Sequence, residues 1–269
     1  MGYEHVEVEK HGHVGTVWLN RPEKKNALSA DMWADIPRAV GELDDDDSIR
    51  AMILAARGSA FCVGIDLAML GALQQLGGST AETNRKLYHE IKELQETASA
   101  FAATAKPVVA AIQGWCLGAG MDLVTACDLR LASEDAVFSI RETRMGLVAD
   151  TGVLQRLPAI VGAGITAELA YTGEDFDARW AAEKGLVNAL FQDAEAVQVA
   201  AFETAEKIAY HSPLVTQGIK RVLAAADGRT VEEALDHVAQ WNASFLISND
   251  LLEAINSFME KRDPNYTGT

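Results

Sequence analysis

Lys106-Pro107-Val108-Val109-Ala110-Ala111-Ile112-Gln113-Gly114-Trp115-Cys116-Leu117-Gly118-Ala119-Gly120-Met121-Asp122 opens the stretch, Lys106 to Asp150, on which the reading of this chain turns. The apolar, β-branched run from Pro107 to Ile112 reads as a short buried strand. A glycine turn, Gly114 to Gly120, follows it, and Met121 to Cys127 reads as a helix. A strand that enters a helix through glycines leaves backbone N–H groups free at the helix start, where the dipole is positive. Developing negative charge is stabilised there. The same stretch places three carboxylates, Asp122, Glu142 and Asp150, in otherwise apolar surroundings. Acids beside such donors suggest proton transfer next to a carbonyl.

Around that centre the chain alternates strand and helix. Tyr3 to Val8 and His13 to Leu19 alternate apolar and polar residues, as two half-buried strands joined at His11-Gly12 do. Arg21, Lys24 and Lys25 form a small basic cluster before Ser29, which caps a helix running to about Leu43. Pro37 lies inside that helix and should kink or shorten it. Ile49 to Ala56 is a further buried strand, and Gly64 repeats the geometry of the central glycine turn by ending an extended segment and opening a short helix. Thr80 to Thr104 carries apolar residues at helical spacing and reads as one long helix outside the sheet. Leu129 to Ala132 and Ala136 to Ile140 are short strands, and a helix starts at about Val153. The alternation predicts an α/β domain. From Ala194 the strand signal ends, and four helical segments are separated by Ser212-Pro213, Gly228-Arg229-Thr230 and Ser248-Asn249-Asp250. Residues 1–193 are therefore expected to form the core with the site, and 194–269 a helical region for oligomer assembly.

Composition narrows the class. The chain has 269 residues, 39 acidic against 23 basic, with a net charge of −16, so its long-range field repels nucleic acid and anionic membrane. A polyanionic ligand needs a local basic cluster. Three cysteines, Cys62, Cys116 and Cys127, form no CxxC pair and argue for a reducing compartment. The N-terminus lacks a basic segment followed by an apolar one, and no run of eighteen apolar residues occurs, so a soluble cytoplasmic protein is expected. GxxxxGK[ST], HExxH and GxSxG are all missing. Gly162-Ala163-Gly164-Ile165-Thr166-Ala167 fits a loose dinucleotide pattern but has no strand before it, since Pro158 and a helical pattern stand there. No metal site is read.

Each carboxylate also has a plain structural reading. Asp122 could bond a neighbouring turn, Glu142 could pair with the arginines of Arg141-Glu142-Thr143-Arg144, and Asp150 could be a helix N-cap. An acid on an apolar helix face, as Asp122 is between Met121 and Leu123, needs partners or a shifted pKa, which is the usual mark of a working acid or base.

The order of several short motifs adds to this reading: Asn20-Arg21-Pro22 with Asn26-Ala27-Leu28, Ala60-Phe61-Cys62-Val63-Gly64-Ile65-Asp66-Leu67, Gly118-Ala119-Gly120, Arg156-Leu157-Pro158, Gly185-Leu186-Val187 and Phe258-Met259-Glu260-Lys261-Arg262. In that order the chain resembles the crotonase, or enoyl-CoA hydratase/isomerase, superfamily. The resemblance implies a spiral of repeated ββα units with a C-terminal helical region that trimerises, often as a dimer of trimers. It implies an acyl-CoA thioester as substrate and no cofactor, CoA being part of the substrate. Hydratases of this superfamily usually carry glutamate where Asp122 stands and a small residue at 150. The trio Asp122, Glu142 and Asp150 is instead similar to that of Δ3,5-Δ2,4-dienoyl-CoA isomerases. The implied activity is a shift of conjugated double bonds in fatty acid β-oxidation, with hydration of a 2-enoyl-CoA as the alternative.

By the same resemblance the N–H groups of Ile65 and Ala119 form an oxyanion hole. Glu142 and Asp150 move the proton, and Asp122 orients or tunes Glu142. Arg21, Lys24 and Lys25 meet the 3′-phospho-ADP of CoA, with Lys261 reaching over from another subunit. Ala27, Cys62, Val63, Gly64, Asp66, Leu67, Gly120 and Phe258 complete the acyl-CoA site. The arginines beside Glu142 depart from the pattern and leave substrate length open. A non-catalytic acyl-CoA or RNA binder on this scaffold is the reading from another class; the acidity and the want of an aromatic-basic stripe count against RNA.

Overall fold

The computed structural model describes residues 2–73 and 80–269. Strands β1 (Val6–His11) and β2 (Val14–Leu19) form the N-terminal hairpin, and helix α1 (Ala30–Asp44) leads into β3 (Ala51–Ala56). Helices α2 (Leu67–Leu73) and α3 (Ala81–Ala103) precede β4 (Val108–Ile112), β5 (Trp115–Leu117) and α4 (Ala119–Thr125). Next come β6 (Leu129–Ser133), β7 (Val137–Ser139), α5 (Val153–Val161), α6 (Ala163–Thr172), β8 (Phe176–Asp177), α7 (Ala178–Glu183) and β9 (Ala189–Phe191). Four helices end the chain: α8 (Ala194–Ala209), α9 (Pro213–Ala226), α10 (Val231–Phe245) and α11 (Asn249–Glu260).

The strands make two sheets. The larger has the order β1-β2-β3-β4-β6-β9 and is parallel except for β1; the smaller has the order β5-β7-β8. Cys62 bridges to Cys116 of β5 and Leu28 to Ile65, both in parallel. Successive passes of the chain thus place one strand in the large sheet, one extended piece beside the small sheet and a helix outside. This is a mixed α/β spiral. Leu129 to Ala132 and Ala136 to Ile140, neighbours in sequence, belong to different sheets.

Parallel strands covered on both faces are apolar throughout. Met52, Leu54 and Ala56 of β3, with Val108, Ala110 and Ile112 of β4, join the core under α1 and α4. Their alternates Ala51, Ile53, Ala55, Val109 and Ala111 face Val197, Ala201, Ala205 and Ala209 of α8. Small residues on both sides of that layer let the helix lie close on the sheet. Helix α8 is consequently part of the core, so the boundary expected at 193/194 moves: the elements beyond the sandwich are α9, α10 and α11.

Two lysines secure this arrangement. Buried Lys106 donates through Nζ to the carbonyls of Leu43, Asp44 and Asp46 at 2.6, 2.8 and 2.7 Å, satisfying the end of α1. Lys220 of α9 donates to the carbonyls of Phe101 and Lys106 at 2.9 and 3.0 Å and pairs with Asp128 at 2.9 Å. Asp128 in turn accepts from the Val108 N–H at 2.7 Å.

Pro37 does not shorten α1, which continues to Asp44. Proline cannot donate to the carbonyl four residues earlier, that of Trp33. The Thr97 hydroxyl of α3 donates to that carbonyl instead, at 2.8 Å, inside the core. Ser29 and Thr80 cap α1 and α3 as expected. Helix α4 begins at Ala119, two residues before the expected start, because Gly118, with φ 53° and ψ −120°, makes the turn. Among the described residues no helix is long and apolar enough to cross a membrane.

Candidate active site

Two glycine turns meet where the parallel strands end. The Cys62 N–H donates to the Trp115 carbonyl and the Leu117 N–H to the Cys62 carbonyl, each at 2.9 Å, so the segment after β3 runs beside β5. A Cβ on Gly64 would lie 3.2 Å from the Leu117 carbonyl and 3.6 Å from the Ala119 nitrogen. Gly64 has φ 98° and Gly118 φ 53°, both open to glycine and strained for other residues. The flanking bonds, Leu28 N–H to the Gly64 carbonyl and Asp66 N–H to the Leu28 carbonyl, leave the Ile65 N–H out of the ladder. Within the described residues neither the Ile65 N–H nor the Ala119 N–H donates to any protein group. The fold therefore sets two unspent main-chain donors on neighbouring turns.

The carboxylates stand around them. Asp122 is fully buried on α4; its Oδ1 accepts from the Val153 N–H at 2.6 Å, while Oδ2 is buried with no hydrogen-bond partner. Burial pushes its pKa up to about 6, against the opposing pull of Thr151, the Val153 N–H and the nearby Arg156 guanidinium. Half-buried Glu142 leads the short 3-10 turn Glu142–Met145; its Oε2 is buried without a partner, and its Oε1 lies 3.2 Å from where a Gly118 Cβ would be. Burial, and then the Asp122 charge, push its pKa up to about 7, with Asp150 adding to the effect. Partial desolvation also raises the Asp150 carboxyl, although the residue as a whole is exposed. The Asp150 charge raises both Asp122 and Glu142, so the three acids stand near one another.

The plain readings of Glu142 and Asp150 give way. Arg141 and Arg144 pair with Asp175, not with Glu142. The N-cap of α5 is Gly152, not Asp150, whose carbonyl is instead held by Gln95 Nε2 of α3 at 2.8 Å. Gln95 carried no sequence signal, since a polar residue on an exposed helix face is ordinary.

The other expected residues differ in where the fold places them. Lys24 and Lys25 are exposed on one loop, free to meet an anion. Arg21 is not free: its Nη1 pairs with Asp66 at 2.6 Å and donates to the Ala27 carbonyl at 3.0 Å, so these three residues brace the loop among themselves. Cys62 and Gly120 are fully enclosed, and a Cβ on Gly120 would lie 2.9 Å from the Cys62 carbonyl. They shape the wall from behind, and the Cys62 Sγ accepts from the Gly64 N–H at 3.4 Å. Val63 is partly buried, with its N–H bonded to the Lys25 carbonyl, and Leu67 is exposed at the start of α2. Phe258 and Lys261 are not brought to the cleft within one chain. They end α11, which the tail ties to Tyr210 through Asp263 and to Arg50 through the Tyr266 carbonyl, at the opposite end of the sheet.

The sequence has relatives among known proteins. It matches the family model of enoyl-CoA hydratase/isomerase over residues 9–269. The chain belongs to the enoyl-CoA hydratase/isomerase family. Family members similar to it include the peroxisomal Δ(3,5)-Δ(2,4)-dienoyl-CoA isomerase of Arabidopsis thaliana, 41% identical over 92% of this chain and 90% of that one. The mitochondrial Δ(3,5)-Δ(2,4)-dienoyl-CoA isomerase of Mus musculus is 38% identical over 97% of this chain and 81% of its own length. Among solved structures, the enoyl-CoA hydratase of Bacillus anthracis superposes with TM-score 0.90 at 30% identity, covering 99% of this chain and 100% of that one. The enoyl-CoA hydratase of Mycobacterium tuberculosis H37Rv gives TM-score 0.85 at 32% identity, with 98% and 99% covered. The spiral and its helical C-terminal region are those of this family.

Proposed function

We propose that this chain is a Δ3,5-Δ2,4-dienoyl-CoA isomerase acting in fatty acid β-oxidation. The observation that supports the reading is the third acid: Asp150 lies near enough for its charge to act on both Asp122 and Glu142, and two main-chain N–H groups nearby have no protein partner among the described residues. The similarity to dienoyl-CoA isomerases along nearly the whole chain supports it.

The thioester carbonyl oxygen accepts from the Ile65 and Ala119 N–H groups. That interaction strengthens as the enolate forms, and a donor of this kind contributes roughly 10²–10³ in rate. Glu142, beside Gly118 and therefore next to Ala119, takes the proton from C2. The electron pair left at C2 is shared with the thioester oxygen and along the diene to C6. Asp150, further along the cleft, gives a proton to C6; the carbonyl re-forms, and the double bonds end at C2–C3 and C4–C5. Solvent at the partly open Asp150 and exchange from Glu142 restore the starting protonation. Burial of Glu142, and after it the charge of buried Asp122, keeps the Glu142 pKa high, so that Glu142 is a stronger base than an ordinary carboxylate. No cofactor enters this scheme.

Lys24 and Lys25 are assigned to the phosphates of CoA. We further assign a homotrimer, or a dimer of trimers, to the apolar faces of the C-terminal helices. Ile219, Leu223, Leu235 and Ile255 are exposed there, and a cavity of about 500 Å³ between α9, α10 and α11 is lined by Trp241 and Phe245. A cytoplasmic location is proposed on the three unpaired buried cysteines.

The deciding experiment offers purified protein a 3,5-dienoyl-CoA and follows the ultraviolet spectrum of the conjugated 2,4 product. Asp150→Asn should lower that rate by at least about 10² while leaving the thermal midpoint close to wild type. An Asp150→Asn protein at full rate, or faster hydration of crotonyl-CoA than isomerisation, would sink the assignment.

A further inference from the structure

A carboxylate between two arginines is by default one end of an ion pair, and Glu142 has Arg141 on one side and Arg144 two residues on. The fold turns both guanidiniums elsewhere. Arg141 donates from Nε to Asp175 Oδ1 at 3.2 Å and from Nη2 to Oδ2 at 2.7 Å, while Arg144 Nη2 lies 3.4 Å from Oδ1. The Arg141 guanidinium also stands 5.2 Å from the centre of the Trp115 ring. Between the two arginines, Thr143 donates to the Ala170 carbonyl of α6 at 2.5 Å. The turn that presents Glu142 is thus fastened to α6 and to the loop after it. Gly173 begins that loop with φ 61°, and a Cβ there would lie 3.2 Å from Arg144 Cγ, so glycine lets Arg144 lie along the loop.

We infer that Asp175 is a positioning residue for Glu142: by gathering Arg141 and Arg144 onto the α6–β8 loop it keeps both cations off the base and fixes the turn that carries it. The inference rests on the reading of Glu142 as the base. Asp175 touches no substrate atom in this scheme; it acts through the arginines. The ionisable groups that raise Glu142 are both acidic, Asp122 from α4 and Asp150 from the segment before α5; on its own turn stand only the two arginines, and neither is among the charges acting on it. Freed from Asp175, two cations on flexible stems stand one and two residues from Glu142 on its own turn and compete for its carboxylate. Glu142 is then held ionised at lower pH and drawn away from C2.

The test uses the full chain with Asp175→Asn, Asp175→Glu and the triple variant Asp175→Asn/Arg141→Met/Arg144→Met. Asp175→Asn should lower kcat about 10- to 100-fold, as misplacement of a catalytic group by a fraction of an ångström does, with KM for the acyl-CoA changed by less than about twofold. The acid limb of its pH–rate profile should move to lower pH. Asp175→Glu should restore most of the rate, and the triple variant should return the limb toward the wild-type position because no cation is left to release. The Glu142 titration, read by carboxyl-carbon NMR against a Glu142→Gln control, follows the same shift without any turnover. A shifted titration in a protein with no isomerase activity would uphold the role of Asp175 and reject the function. An isomerase in which Asp175→Asn lowers the thermal midpoint but leaves both the titration and the pH limb in place overturns the inference. If Asp175→Asn does not fold, Asp175→Ser, which likewise cannot pair with the arginines, carries the test in its place: a Glu142 titration and kcat left at their wild-type values in that variant overturn the inference equally.

Discussion

Replacing Glu142 by glutamine should give a protein that no longer isomerises yet is more stable than wild type at alkaline pH. In the folded chain burial and the Asp122 charge raise the Glu142 carboxyl from 4.5 to about 7. On unfolding it returns to its ordinary value. Between those two values the folded state binds more protons than the unfolded one, so stability falls as pH rises through the window and the full penalty is present above it. At 1.36 kcal/mol for each pH unit, the gap amounts to about 3 kcal/mol at pH 8. Glu142 is only partly buried, and solvent screening reduces this to roughly 1–2 kcal/mol. At pH 5, near the foot of that window, most of the penalty has yet to develop, and the two proteins should unfold within about 0.5 kcal/mol of each other. For a chain of this size 1 kcal/mol moves the midpoint by about 2–4 °C, so a gain of roughly 2–8 °C is expected at pH 8 and almost none at pH 5. Isomerisation should fall by about 10²–10⁴, the usual share of a general base. Differential scanning fluorimetry at the two pH values, with the dienoyl-CoA spectrum as the activity readout, measures both. A Glu142→Gln protein equally destabilised at pH 5 and pH 8 would refute the electrostatic reasoning.

Four further outcomes follow from the geometry. Gly118→Ala forces a side chain into a backbone region reserved for glycine and places its Cβ 3.2 Å from Glu142 Oε1; it should cost about 1–3 kcal/mol of stability and most of the activity, readable by thermal unfolding and the isomerase rate. Thr97→Val removes the hydroxyl that donates to the Trp33 carbonyl of α1 and should destabilise by about 1–3 kcal/mol in urea melts without changing KM. Gln95→Leu frees the Asp150 carbonyl, so kcat should fall with KM little changed, whereas Lys24→Ala with Lys25→Ala should raise KM and flatten its salt dependence.

Much of this architecture was readable because local chemistry and global fold agree. The Pro107 to Ile112 run, the glycines after it and the caps Ser29, Thr80, Ser212, Thr230 and Ser248 each name their own element. Gly114 illustrates why glycine is required: with φ 56°, a Cβ there would lie 2.2 Å from the Ser59 carbonyl. What the sequence hid is non-local. Strands β8 and β9, two and three residues long, are too short to show alternation. The division of strands between two sheets is set by pairing, which no single strand encodes. The fate of Pro37 depended on Thr97, a residue in another helix, and the isolation of Glu142 from its arginines on Asp175, 34 residues beyond Arg141. Arg21 read as a free cation because Asp66, 45 residues away, does not announce itself as its partner.

Lys220 has a wider consequence. One ammonium group from α9 closes three loose ends at once: the carbonyl of Phe101 near the end of α3, the carbonyl of Lys106 just before β4, and the carboxylate of Asp128 that steadies the first amide of that strand. Cutting away the last three helices would leave those groups unanswered in the middle of the domain. Truncation after α8 should therefore loosen β4 and the glycine turn it feeds, visible as faster amide exchange there, so the C-terminal helices and the site share a foundation and are not separable modules.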